Sequence, residues 1–178
     1  YVSISARNTN TNIAAGNLYI EATLNNLHGH PNNSPFFSVR PVPYVCVNAP
    51  YFLNNGAVDP DGDSLTFDFI RPRTAATACA ATYNATDIAY RSTTFSLAEP
   101  FATGNTFRFN QVTGEMTFTP IMQSTNTVSV RVNDYRNGIK IGSVMRDIQI
   151  RVVSCSNPPT SLVPVSGSIT GGQLSRGR

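Results

Sequence analysis

The chain has no tryptophan, one lysine and two histidines, and only 13% of its 178 residues are charged. Each shortage removes a class of function. With a net charge of +3 and no cluster of Lys and Arg, there is no basic surface to hold nucleic acid. No apolar run approaches the ~18 residues that a membrane-spanning helix needs. The three cysteines, Cys46, Cys79 and Cys155, form no CxxC pair, and His28 and His30 lie far from them, which argues against zinc. There is no GxSxG, and both histidines fall in a polar stretch, so no nucleophile–base constellation can be assembled. The one acidic cluster is a single turn, whereas glycoside hydrolysis needs two carboxylates facing each other across a sugar. The chain is read as non-enzymatic. Sustained helical periodicity is missing too.

What is present is the chemistry of strands and turns. Val, Ile, Phe and Tyr are plentiful, Asn, Thr and Ser abundant, and there are twelve glycines and twelve prolines. Residues 1–30 carry two alternating stretches, YVSISA and NLYIEATL, read as the C-terminal strands of a preceding β domain. Two strands alone are only marginally stable, so these should pair with each other or with a neighbouring chain. HGHPNNSPFF, residues 28–37, has the composition of a linker. Its two histidines read as polar linker residues, since two alone rarely make a metal site.

From 31 to 157 strand candidates follow at short spacing: PYVCV, PYFLNNGAV, SLTFDFI, a hairpin TFRFNQVTGEMTFTP, and a second hairpin turning at Asn137-Gly138. Gly114 stands where the first hairpin needs a positive φ. Between Arg71 and Asn105 the chain is rich in Ala and Thr, and an elaborated loop with one short helical turn is expected. Residues 158–178 read as a linker or the first strand of a following domain. The spacing predicts an all-β immunoglobulin-like Greek-key sandwich of about 125 residues, with a small barrel as the alternative. The chain opens on a strand without a signal peptide and reads as a segment of something longer.

The stretch AVDPDGDSLTF crowds Asp59, Asp61 and Asp63 into one turn, although the chain has only ten acids. Alternating strand directions in such a sandwich put this turn at one pole with Asp134 and with the incoming Asn32 and Asn33. Hard oxygen ligands converge there, and calcium takes about six to eight. Asp59, Asp61, Asp63, Asp134 and Asn33 are therefore candidate calcium ligands. The plainer alternatives are a solvated turn, Asp63 capping the next strand through backbone N–H groups, and Asp134 as a turn residue. The same topology puts all three cysteines near the opposite pole. A Cys46–Cys155 bridge would tie the first strand to the last, and Cys79 could replace either partner. Tyr90, Arg91, Tyr135 and Arg136 read as scattered surface residues, with a glycan or protein contact surface as the alternative.

These residues carry a resemblance. NNSPFF looks like the Asn-x-Pro-x-Phe linker that opens cadherin repeats. GAVDPDGDSLTF, TGEMTFTP and VSVRVNDYRNG are similar to the cadherin-like and Ig-like repeats of large bacterial surface proteins. Over about residues 18–157 the chain resembles gliding-motility-associated surface proteins of Bacteroidetes, exported by the type IX secretion route. The resemblance implies an extracellular adhesin, stalk or filament in which calcium stiffens the junction between consecutive domains. Its partners would be neighbouring domains of the same chain, identical chains in a filament, and surface polysaccharide. The second expectation is a carbohydrate-binding accessory module of a secreted hydrolase, which the lack of tryptophan disfavours.

Overall fold

The computed structural model describes residues 2–4, 7–25, 31–75 and 85–156. Cys79, His28, His30, residues 158–178 and the centre of the Ala/Thr-rich insertion lie outside these. The strands are β1 (Val2–Ile4), β2 (Leu18–Ile20), β3 (Ala22–Leu24), β4 (Phe36–Phe37), β5 (Tyr44–Cys46), β6 (Tyr51–Asn54) and β7 (Ala57–Val58), then β8 (Ser64–Ile70), β9 (Arg73–Thr74), β10 (Thr86–Asp87), β11 (Arg108–Phe109), β12 (Glu115–Phe118), β13 (Ser124–Arg136) and β14 (Ile139–Val153). The protein is all-β: no described residue is helical, so the expected helical turn does not occur among the described part of the insertion. No described helix is long and apolar enough to cross a membrane.

Two sheets share one core. The larger runs β3-β14-β13-β8, with β5 also paired to β14; the smaller runs β11-β12-β6. Period-two alternation builds them. On β13, Val128, Val130 and Val132 point inward and are buried, and Ile148, Ile150 and Val152 do the same on β14. Leu53, Met116 and Phe118 face them from the smaller sheet. The two long strands are joined by Asn137-Gly138, both at positive φ (52° and 78°), with Arg136 opposite Ile139. That backbone matches the twist of a two-residue hairpin. A bulge follows, since Asp134 faces Gly142 whereas Tyr135 faces Lys140.

The expected second strand is broken in two. At Asn55-Gly56 the chain leaves β12 and pairs instead as β7 with β4. Asn55 is fully buried there, donating its backbone N–H and its side-chain amide to the Gly114 carbonyl.

The insertion is more than a surface loop. Phe101 is fully buried and stacks on Phe118 with centroids 4.0 Å apart, at the centre of the core. Residues 7–12 pack against β13 and β14, and β3 extends the larger sheet beyond β14. β3 pairs with β14, and Asn12, fully buried, exchanges bonds with the Thr127 backbone and reaches the Pro100 carbonyl. Arg7 forms a buried ion pair with Asp147, and Glu21 holds Arg73 (3.1 Å) and Arg131 (2.7 Å). Burial lifts the Asp147 carboxyl above its usual range, against the pull of Arg7 and the Ser129 hydroxyl.

These strands define two poles. β14 has fifteen residues and is about 50 Å long. Its first residues lie beside the 59–63 turn and the incoming segment 31–33. At its far end, Val47 donates to the Val153 carbonyl and Cys46 is disulfide-bonded to Cys155, with Cα atoms 5.5 Å apart.

Candidate functional site: an acidic pole clamped by arginine

The acidic turn is built by its own first residue. Oδ1 of Asp59 accepts the backbone N–H groups of Asp61 (2.9 Å) and Asp63 (3.1 Å), curling the chain back toward β8. The turn closes through the Gly62 N–H and the Asp59 carbonyl. One carboxylate oxygen from each of Asp59, Asp61 and Asp63 then lies within 4.8 Å of the others. Like charges at this separation repel, so the turn needs a cation or a ring of donors.

It has both. Arg136, at the end of β13, grips Asp63 with two parallel bonds, Nε to Oδ1 at 2.8 Å and Nη2 to Oδ2 at 2.6 Å. This paired geometry is the strong form of an arginine–carboxylate contact. The same guanidinium lies 3.7 Å from Asp61 and donates to the Pro31 carbonyl (3.3 Å) and to Asn32 Oδ1 (3.2 Å). Asp61 is held by Asn33, whose backbone N–H donates at 2.6 Å and side-chain amide at 3.0 Å. Those two bonds, the backbone one first, pull the Asp61 carboxyl below its usual range, and the Arg136 charge adds to them. The bond to Asp63 and the three nearby carboxylates raise Arg136 further.

Of the five candidate ligands, four come together: Asp59, Asp61, Asp63 and Asn33. Asp134 does not join the carboxylate group. It is fully buried behind the turn, where Oδ2 accepts from the Asn32 side chain at 3.0 Å and Oδ1 has no partner. Oδ2 of Asp59 is likewise buried without a partner.

Arg136 is the residue that sequence reasoning passed over as surface decoration. The available signal was its place in NDYRNG, the turn expected to share the pole with the acids. Tyr90 and Arg91 are also structural. Arg91 donates to the Ile13 carbonyl at 2.7 Å. Tyr90 bridges to Ile13 and packs beneath Arg71, and burial pushes its hydroxyl up to about 12.

Comparison of the chain with protein-family models, with curated proteins and with solved structures finds no match.

Proposed function

We propose that the chain is a non-catalytic structural module of an extracellular bacterial surface protein, an Ig- or cadherin-like Greek-key sandwich in which the connection from β3 to β4 is pinned at the acidic pole, so that the N-terminal strands and the sandwich bear load as one rigid module. The observation that carries this reading is the attachment of residues 31–33 to the acidic pole. Asn33 bonds Asp61, Asn32 bonds Asp134, and Arg136 joins Pro31 and Asn32 to Asp63. A segment held at so many points cannot swivel freely. At the other pole the Cys46–Cys155 bridge closes the first sandwich strand onto the last. A disulfide in that place suits an oxidising, extracellular setting. Load arriving at one pole would pass along β14 to the other, as a stalk or filament subunit requires, with neighbouring domains or identical chains as partners.

Calcium fits this pole as a second clamp. The unpartnered Asp59 Oδ2, the remaining lone pairs of Asp61 and Asp63, and the Asn33 side-chain oxygen would hold it, with Arg136 still on Asp63. Extracellular calcium modules bind at about 10⁻⁴–10⁻³ M. When bound, the ion would supply the charge that Asp59 lacks and draw the turn onto the incoming segment.

Hydrogen exchange and thermal melting test both parts. Arg136→Ala should speed amide exchange at residues 32–33 and lower the melting midpoint. Unchanged exchange would remove the clamp. Millimolar calcium should raise the midpoint relative to chelator, because it binds only the folded pole. An identical midpoint would remove the metal and leave the arginine clamp standing.

A further inference from the structure

Lys140 is the only lysine in the chain. It stands near the start of β14, and its Nζ donates to Oδ1 of Asn133 at 2.6 Å. Asn133 is only 2% exposed. On the other side of the same amide, Nδ2 donates to Oδ2 of Asp68 at 2.9 Å. Three neighbouring strands, β14, β13 and β8, thus line up an amine, a carboxamide and a carboxylate. The order matters. The amine approaches from the carbonyl oxygen, and the acid holds the nitrogen that would have to leave. The hydrogen bond holds the amine beside the carbonyl whose carbon it would attack, so the encounter is intramolecular rather than bimolecular. An adjacent acid–base group is what amide exchange further requires.

We propose that Lys140 and Asn133 join in an intramolecular isopeptide bond, with Asp68 as the catalytic proton carrier. Lys140 first gives one ammonium proton to water. The free amine then attacks Cγ of Asn133, forming the Nζ–Cγ bond. The attacking nitrogen sheds a second proton to water, while Asp68, protonated from solvent, delivers one to Nδ2 as the Cγ–Nδ2 bond breaks. Ammonia leaves and takes a proton from water. One amide replaces another, ammonium is released, and no oxidant or reductant is involved. The closed ring spans residues 133–140 and so contains Asp134, Arg136 and the Asn137-Gly138 turn. It would lock the tip of the long hairpin, where a load entering at the acidic pole would begin to peel the strands apart. The proposal goes beyond the module reading and does not depend on it.

A lysine-specific protease provides the test, because the unmodified 178-residue chain offers it one site. The reduced, denatured chain is expected to resist cleavage, and its intact mass to be lighter than the sequence mass by one ammonia. Fragmentation should then locate a branch joining Lys140 to Asn133. Lys140→Arg, which keeps a donor toward Asn133, and Asp68→Ala should both restore the full mass. A wild-type chain of full mass that is cut after Lys140 overturns the proposal. So does a chain that has lost ammonia yet is still cut, since succinimide formation at an Asn-Gly pair would explain it. An Asp68→Ala chain that still cross-links overturns the role given to Asp68.

Discussion

A single carboxylate shows how the pole is held. Asp61 is exposed, yet two donors from Asn33 fix both its oxygens. A carboxyl whose value falls on folding stabilises the fold at pH above its unfolded value, and that contribution is lost as pH drops through the folded value. The attachment of residues 31–33 should therefore be complete near neutrality and weaken in acid below the ordinary value of 3.8. Carboxyl NMR should give Asp61 a midpoint below 3.8. Asn33→Ala should bring it only part of the way back, because the larger contributor, the Asn33 backbone N–H, remains. A wild-type midpoint at or above the ordinary value would mean that Asn33 does not hold this side chain. Asp147 has the opposite sign. Its carboxyl is raised by burial, so its ionisation detracts from stability as pH climbs through the folded value.

At the level of elements, the two hairpins differ in what their glycines do. Gly138 is at φ 78° with open space around it, whereas Gly114 is at φ 71° with the Phe67 ring occupying the place of a Cβ. Gly138→Ala should cost about 1–2 kcal/mol, the penalty for a left-handed L residue. Gly114→Ala should cost clearly more, since the new Cβ would lie 2.7 Å from Phe67 and the ring is itself buried in the core. Urea midpoints of the two variants measure the difference, and equal losses would show that the Phe67 contact is not tight. The strand pattern was legible because both period-two alternation and turn chemistry are local. β5, β8, β13 and β14 lie where SLTFDFI and its companions place them. The division of β6 from β7 was not legible, because the Asn55 side chain that stabilises it finds its partner at Gly114, 59 residues away.

For the whole molecule, the Cys46–Cys155 bridge spans 109 residues of sequence. Closing so large a loop is worth roughly 4–5 kcal/mol in the unfolded state, less any native strain. Reductant, or Cys46→Ser, should lower the unfolding free energy by about that amount. A change under about 1 kcal/mol would mean that the unfolded chain is already held compact by other means. Sequence alone was enough to establish an all-β protein, its main hairpins, the coming together of Asn33 with Asp59, Asp61 and Asp63, and the candidacy of this cysteine pair. Alternation and turn residues are carried by one stretch of chain, and the meeting of Asn33 with the acidic turn and of the two cysteines follows from alternating strand direction in a sandwich. Folding in three dimensions settled the rest. It chose Arg136 as the partner of Asp63 and buried Asp134 behind the turn. It also set residues 7–12 against Thr127, Asp147 and Gln149. The physical reason is that a polar residue on the outer face of a strand is written the same way in sequence whether water or a distant Asn or Arg satisfies it, and only the tertiary arrangement brings that distant group within bonding reach.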